Sequence, residues 1–264
     1  MSLVEILTLV VAILGAGAWL PHVLIWNQKR KEVAKVVLVP DGQVQIGYTT
    51  YGSMFNLNLA LASSIKDIII KKIKATIRHE DGDTHYFVWQ GLSETMSEIS
   101  NTSGEKIVQT KDQAAIALKL ITTTLIEKFV RFQEIKFKQE TQPQINTLYE
   151  LALFYKNNKE TTAEAFEEVM KRKEFYDLIS FFKSNSWWKV GKYSVNFLIE
   201  SMDKHKFDQH TFNFELRHHD IEELKKNIPK IEKLFEYIGK GDFESITKEL
   251  NFHWINVDLI QRGI

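Results

Sequence analysis

Two imidazoles and three carboxylates crowd the stretch His79-Glu80-Asp81-Gly82-Asp83 followed by His85. Histidine nitrogen and carboxylate oxygen both suit a divalent cation such as zinc or manganese, so His79 and His85 are the candidate metal ligands of this chain. The spacing is not the HExxH of a helical zinc site. The stretch reads first as a charged turn in which Asp81-Gly82 serves backbone geometry, and no metal is assigned to it. Arg217-His218-His219-Asp220 is the second place where imidazole and carboxylate meet. Asp220 there has a local task, capping a helix together with Glu223, and the paired histidines read as solvated.

Other chemistry is excluded by absence. The chain has no cysteine, which removes disulfides, thiolate nucleophiles and thiolate-bound zinc or iron–sulfur clusters. There is no GxxxxGK[ST] phosphate loop and no GxSxG nucleophile elbow, and Gly15-Ala16-Gly17 lacks the third glycine and the strand context of a dinucleotide fingerprint. No cofactor is expected. Carboxylates are abundant, yet no pair stands out as an acid–base couple. Lysine plus arginine (34) balances aspartate plus glutamate (34), so no net field points to nucleic acid. Trp187 and Trp188 are the aromatic pair to watch. On a strand they would face opposite ways, one into the core and one under neighbouring helices, or else serve as contacts for a protein partner.

The elements that must position these residues change period along the chain. "KVVLVP" and "QVQIGYTTYG" are β-rich runs about the turn Asp41-Gly42. In "MFNLNLALA" Phe55, Leu57, Leu59 and Leu61 share a face; in "IKKIKATIR" Ile73, Ala75 and Ile77 do. The second run leads through Asp81-Gly82 into "THYFVWQ", a hairpin. Less regular strands are expected at "EKIVQT", "AIALKLI" and "KFVRFQEIKF". Pro143 then suits the first position of a helix over "QINTLYELALFYKN", and Thr161 with Glu164 forms a capping-box signature for the next. Strands return at "GKYSVNFLIE" and "TFNFELR", with a helix near Pro229 and a last strand at "FHWINVDLIQ". This order lacks the strand–helix alternation of a doubly wound sheet.

The N-terminus is apolar from Ile6 to Trp26, which as a helix reaches about 31 Å, close to a bilayer core. Ala16-Gly17-Ala18 imitates a signal-peptide cleavage site, but the basic stretch that should precede it is missing. The expectation is therefore a retained transmembrane helix. Ala12, Gly15 and Ala16 offer one small-residue face for helix packing or self-association. Lys29, Arg30, Lys31 and Lys35 follow the run and orient it, with a short N-terminus outside and the bulk of the chain in the cytoplasm. The lipid bilayer and a protein partner are the expected partners, at the inner (cytoplasmic) membrane.

The organisation expected is 1–5 outside, 6–26 spanning, 27–34 a basic linker, 35–140 the first part of a β-sandwich, 141–185 a helical insertion, and 186–264 the remaining strands with a C-terminal helix. The fold class is α+β, with an antiparallel immunoglobulin-like β-sandwich after the transmembrane helix. "VGKY" entering an alternating strand supports the sandwich, because a tyrosine corner would hydrogen-bond Tyr193 back to the backbone. The run "IGYTTYGSMFNLNLALASSIKDIIIKKIKATIRHEDGDTHYFVWQGL" resembles segments of uncharacterised bacterial proteins with one N-terminal membrane span. That resemblance implies an anchored bacterial protein and carries no activity or site residue. The expected function is a membrane-anchored cytoplasmic interaction or sensing module without catalysis. An enzyme using a histidine–carboxylate site, or a cell-envelope domain of reversed topology, are the alternatives.

Overall fold

The computed structural model describes residues 19, 21–27, 32–100, 106–157, 161–240, 244–245 and 250–262. The strands are β1 (Ala34–Pro40), β2 (Gln43–Thr49), β3 (Gly52–Ser64), β4 (Ile68–His79), β5 (Thr84–Ser100), β6 (Lys106–Ala114), β7 (Leu118–Leu120), β8 (Ile126–Glu134), β9 (Gly191–Ser201), β10 (His205–Phe207), β11 (Thr211–Leu216), β12 (Trp254–Asp258) and β13 (Ile260–Gln261). The helices are α1 (Ile135–Lys156), α2 (Thr162–Met170), α3 (Lys173–Ser184), α4 (His218–Lys225) and α5 (Asn227–Lys240).

All thirteen strands belong to one sheet, in which β2, β3, β8, β5, β4, β9 and β11 are neighbours in that order. The C-terminal segment joins the two ends of this run. Its first part, β12, pairs with β2 from Trp254↔Gly47 to Asp258↔Gln43. Its second part, β13, pairs with β11, and Leu259 N between them donates to Gly42 O (2.9 Å). The sheet thus curls until it closes on itself, which removes two unpaired edges. Gly47 makes the closure possible. A Cβ there would lie 2.3 Å from the Trp254 ring, so only glycine lets the indole lie flat on β2.

The alternating residues of the sequence form the interior. Phe55 on β3 sits 6.0–6.4 Å, centroid to centroid, from Phe87, Phe132, Phe197 and Phe214, one from each of β5, β8, β9 and β11. Rings from five strands meeting at one residue leave the interior filled, as expected of a closed sheet of about eight strands. A second core joins the helices to the sheet: Tyr48, Phe137, Leu148, Phe175, Leu178 and Phe182 are all buried in it, and the Tyr48 hydroxyl donates to Phe182 O (2.5 Å). Helices thereby cover the end where β2 turns into β3 and β8 runs into α1.

Several expectations are corrected. The immunoglobulin-like sandwich of two sheets is replaced by this single curled sheet, because β12–β13 ties the edge strands together. Tyr193 does make the bond of a tyrosine corner: its hydroxyl donates to Lys189 O (2.7 Å) and accepts from Lys189 N (2.9 Å). The corner therefore serves a curled sheet here. α1 starts at Ile135, ahead of the expected insertion at 141, and Pro143 lies inside it. Pro143 has no N–H for the Gln139 carbonyl one turn back, and on either side of that residue Thr141 Oγ1 donates to Phe137 O (2.8 Å) and Gln144 Nε2 to Glu140 O (3.2 Å). The capping box of Thr161 and Glu164 is formed in both directions, but the helix it opens ends at Met170 and resumes at Lys173.

The expected single-pass transmembrane helix and signal anchor are also corrected. Among the described residues no helix is long and apolar enough to cross a membrane. Of 6–26 the structure describes 19 and 21–26, which are helical and exposed. Ala12, Gly15 and Ala16, and the topology residues Lys29, Arg30 and Lys31, lie outside the described residues. Lys35 lies on β1 and pairs with Asp208 (2.9 Å).

Candidate functional site

The hairpin between β4 and β5 places both histidines, and it does not bring them to one point. Gly82, with φ +99°, makes the turn that alternation and Asp-Gly foretold. His79 closes β4 and is buried. Its Nε2 lies 3.1 Å from Val190 O; since a carbonyl only accepts, Nε2 carries the proton of that bond. Its Nδ1 lies 2.9 Å from Asp81 Oδ1 and 3.4 Å from Asp81 N. Both ring nitrogens are thus committed within the protein. Gly191, with φ +139°, approaches so closely that a Cβ would lie 2.4 Å from His79 Nε2.

His85 is held by a different set. Its Nδ1 donates to Glu134 Oε1 (2.5 Å), and its Nε2 faces Asp83 Oδ1 at 3.4 Å. The ring lies against Trp187, centroids 4.1 Å apart and 31° from parallel. Glu134 is the last residue of β8 and the N-cap residue of α1, and it is 4% exposed. A carboxylate at this place gains from the helix N-terminus as well as from His85.

Lys189 completes the cluster from the loop before β9. Its Nζ contacts Asp81 Oδ2 (2.6 Å) and Asp83 Oδ2 (3.2 Å), and Trp187 Nε1 donates to the same Asp83 oxygen (2.9 Å). The Lys189 hydrogen bond, then those from Asp83 N–H and His79, hold the Asp81 carboxyl well below the usual carboxylate range. For Asp83, desolvation pushes upward, and the bonds from Trp187 and Lys189 outweigh it, leaving the carboxyl lowered. Asp81 and Asp83 are therefore anions matched by a cation. A shallow cleft of about 360 Å³ opens beside His85, Glu134 and Trp187. Among the described residues no group of three or more histidine, cysteine or acidic side chains could hold a metal ion. The arrangement is a clasp that fastens the hairpin tip, the β8–α1 junction and the 185–190 loop together.

Trp187 and Trp188 do not face opposite ways, because residues 185–190 form no strand. Both indoles turn inward, 8% and 4% exposed, with centroids 4.8 Å apart, and Trp188 Nε1 donates to Gly47 O (2.8 Å). Both also line the shallow cleft beside His85. Of the second pair, His218 and His219 open α4. Asp220 stands three residues after Arg217, which holds the cap position, and its Oδ2 accepts from Arg217 N (2.7 Å). It satisfies one of the open donors of the helix start from inside the first turn.

A larger concavity, about 1050 Å³, lies on the outer face of the sheet between β1, β3, β8, β5 and β6. Val39, Ala60 and Phe129 supply apolar surface. Asn58 and Asp41 line one part of it, joined by a 3.4 Å hydrogen bond, and Arg131, Asp112 and Ser93 line another. Arg131 Nη1 donates to Asp112 Oδ2 (3.3 Å), and Ser93 Oγ donates to Asp112. Gly91 permits this wall: a Cβ at that position would lie 2.8 Å from Arg131 Nε. Apart from Asp41, which belongs to the turn between β1 and β2, none of these residues stands out in the sequence. They come from five separated strands, and their only local signal is an outward place in the alternation.

Compared with protein-family models, with curated proteins and with solved structures, the chain matches none of them. What it does is therefore read from its geometry.

Proposed function

We infer that this protein is a recognition module that binds an extended segment of a partner protein in the groove on the outer face of its sheet. The observation that carries this reading is the groove itself, where Val39, Ala60 and Phe129 are interleaved with Asn58, Glu127 and Arg131, set on a barrel whose interior is filled by Phe55 and its four neighbouring rings. A filled interior leaves recognition to the outer surfaces. Apolar and hydrogen-bonding groups side by side suit a peptide that needs both side-chain burial and partners for its main chain. The histidine–carboxylate clasp fastens the hairpin tip and the β8–α1 junction of the same scaffold, and the reading asks no catalysis of it.

Selection of displayed peptides against the full chain tests the reading. Selected segments are expected to lose about tenfold or more in affinity on Ala60→Trp, which fills the floor, and to keep it on Tyr176→Ala, on the outside of α3. Binders indifferent to Ala60→Trp, or a failure to select any, would overturn the proposal.

A further inference from the structure

The end of the barrel away from the helices has its own character. Three connections meet there and brace one another. Thr122 N donates to Asp67 Oδ1 (3.0 Å), Met202 N donates to Ile69 O (3.0 Å), and Ser63 Oγ donates to Lys66 O (2.7 Å). β7 pairs with the start of β4 over the same turns. From these turns three large apolar side chains stand out, Ile65 (60% exposed), Leu125 (58%) and Met202 (60%), and a fourth, Ile116 (82%), stands on the β6–β7 connection ahead of β7. Ile65 is also the one described non-glycine residue with positive φ, at 77°, a conformation in which a β-branched residue is out of place. Asparagine or glycine would suit that turn better, and burial does not explain the isoleucine.

Charge accompanies these tips. Lys66 and Lys204 sit on the same connections, Lys119 on β7, and Lys35 and Lys206 lie on the paired starts of β1 and β10. Asp208, Asp203 and Asp67 pair with Lys35, Lys66 and Lys119, and Glu32 is exposed at the chain's entry, so these five lysines exceed the four acids by one. The chain also enters at this end. The helical stretch 21–27 exposes Val23, Leu24, Ile25 and Trp26, and the six residues between it and β1 span no more than about 25 Å even when extended.

We propose that this end of the barrel rests on the surface of an anionic lipid bilayer. Ile65, Ile116, Leu125 and Met202 enter the boundary between headgroups and acyl chains, and the lysines lie at headgroup level. A lipid surface fits better than a protein one for a steric reason. The tips project separately from different turns, and a folded partner would need a matching hollow for each, whereas lipid yields to any projection. The contact is with one face of the bilayer and crosses nothing. It is independent of the peptide groove.

The chain's lack of cysteine makes the test direct. Ile116→Cys, Leu125→Cys and, as a control on α3, Tyr176→Cys each give the full-length protein a unique site for a polarity-sensitive fluorophore. With vesicles of phosphatidylcholine and phosphatidylglycerol, labels at 116 and 125 are expected to shift to the blue and to lose most of their quenching by aqueous iodide. The label at 176 should change in neither respect. Vesicle-bound protein whose labels at 116 and 125 stay in water would overturn the proposal, since another segment would then be doing the binding. Failure to bind vesicles would overturn it too, as would a shift that appears without lipid, which would mark a contact between protein copies.

Discussion

Replacing His85 by alanine removes the hydrogen-bond partner of a largely buried carboxylate, Glu134. In the folded chain the Glu134 side chain is 6% exposed and that of His85 19%. Leaving a buried carboxylate without its partner costs about 3–5 kcal/mol, because it keeps its desolvation penalty and loses its compensation. The cleft beside His85 admits some solvent and the start of α1 favours a carboxylate, so the low end, about 3 kcal/mol, is the expected loss. For a chain of this size that corresponds to a fall of about 6–12 °C in Tm. Glu134→Gln keeps an acceptor for Nδ1 and removes the charge, so it should cost about 1 kcal/mol. The decisive variant combines the two. If an unpaired carboxylate causes the loss, His85→Ala/Glu134→Gln should be more stable than His85→Ala by about 1.5 kcal/mol or more. Urea unfolding followed by tryptophan emission reads all three, with Trp187 beside the site as an internal probe. The reasoning is refuted if His85→Ala unfolds within about 1 kcal/mol of the parent, or if the double variant is no better than the single one.

Two further outcomes follow from the same geometry. Gly47→Ala would drive a methyl group into the Trp254 ring that seals the barrel; the expected loss is about 1–3 kcal/mol, and Gly47→Ala/Trp254→Ala should lose less than the sum of the two singles. Burial, partly opposed by the hydrogen bond at Lys189, pushes the Tyr193 hydroxyl from its ordinary 10.0 up to about 12. A folded-state value above the unfolded one means a contribution intact below about pH 10 and lost as the pH climbs through 12. Stability measured across that range should therefore decline less steeply in Tyr193→Phe, and parallel declines in parent and variant would show that another group is responsible.

The sequence by itself determined the parts of this protein that neighbouring residues can decide. Alternation placed Phe55, Leu57, Leu59 and Leu61, Ile73, Ala75 and Ile77, and Tyr193, Val195, Phe197 and Ile199 on inner faces, and all are buried. Asp81-Gly82 marked the hairpin and Thr161 with Glu164 a helix start, because turn and cap chemistry act over three or four residues. Where two structures share a local pattern, the sequence was silent or misleading. A period of two requires one buried face and is the same in a sandwich and in a curled sheet. "KFVRFQEIKF" shifts its alternation at Glu134, from Val130 and Phe132 to Ile135 and Phe137, a slip that an irregular strand and a change to helix share. Trp187 and Trp188 were assigned opposite faces on the assumption of a strand that does not form. Only the tertiary structure decided that Trp254–Gln261 would bridge β2 and β11, that Glu134 would meet His85, and that Arg131, Asp112 and Asn58 would line one groove. These contacts join residues far apart in the chain, and which of them form depends on how the whole sheet twists and closes, a property that no short stretch of the sequence carries.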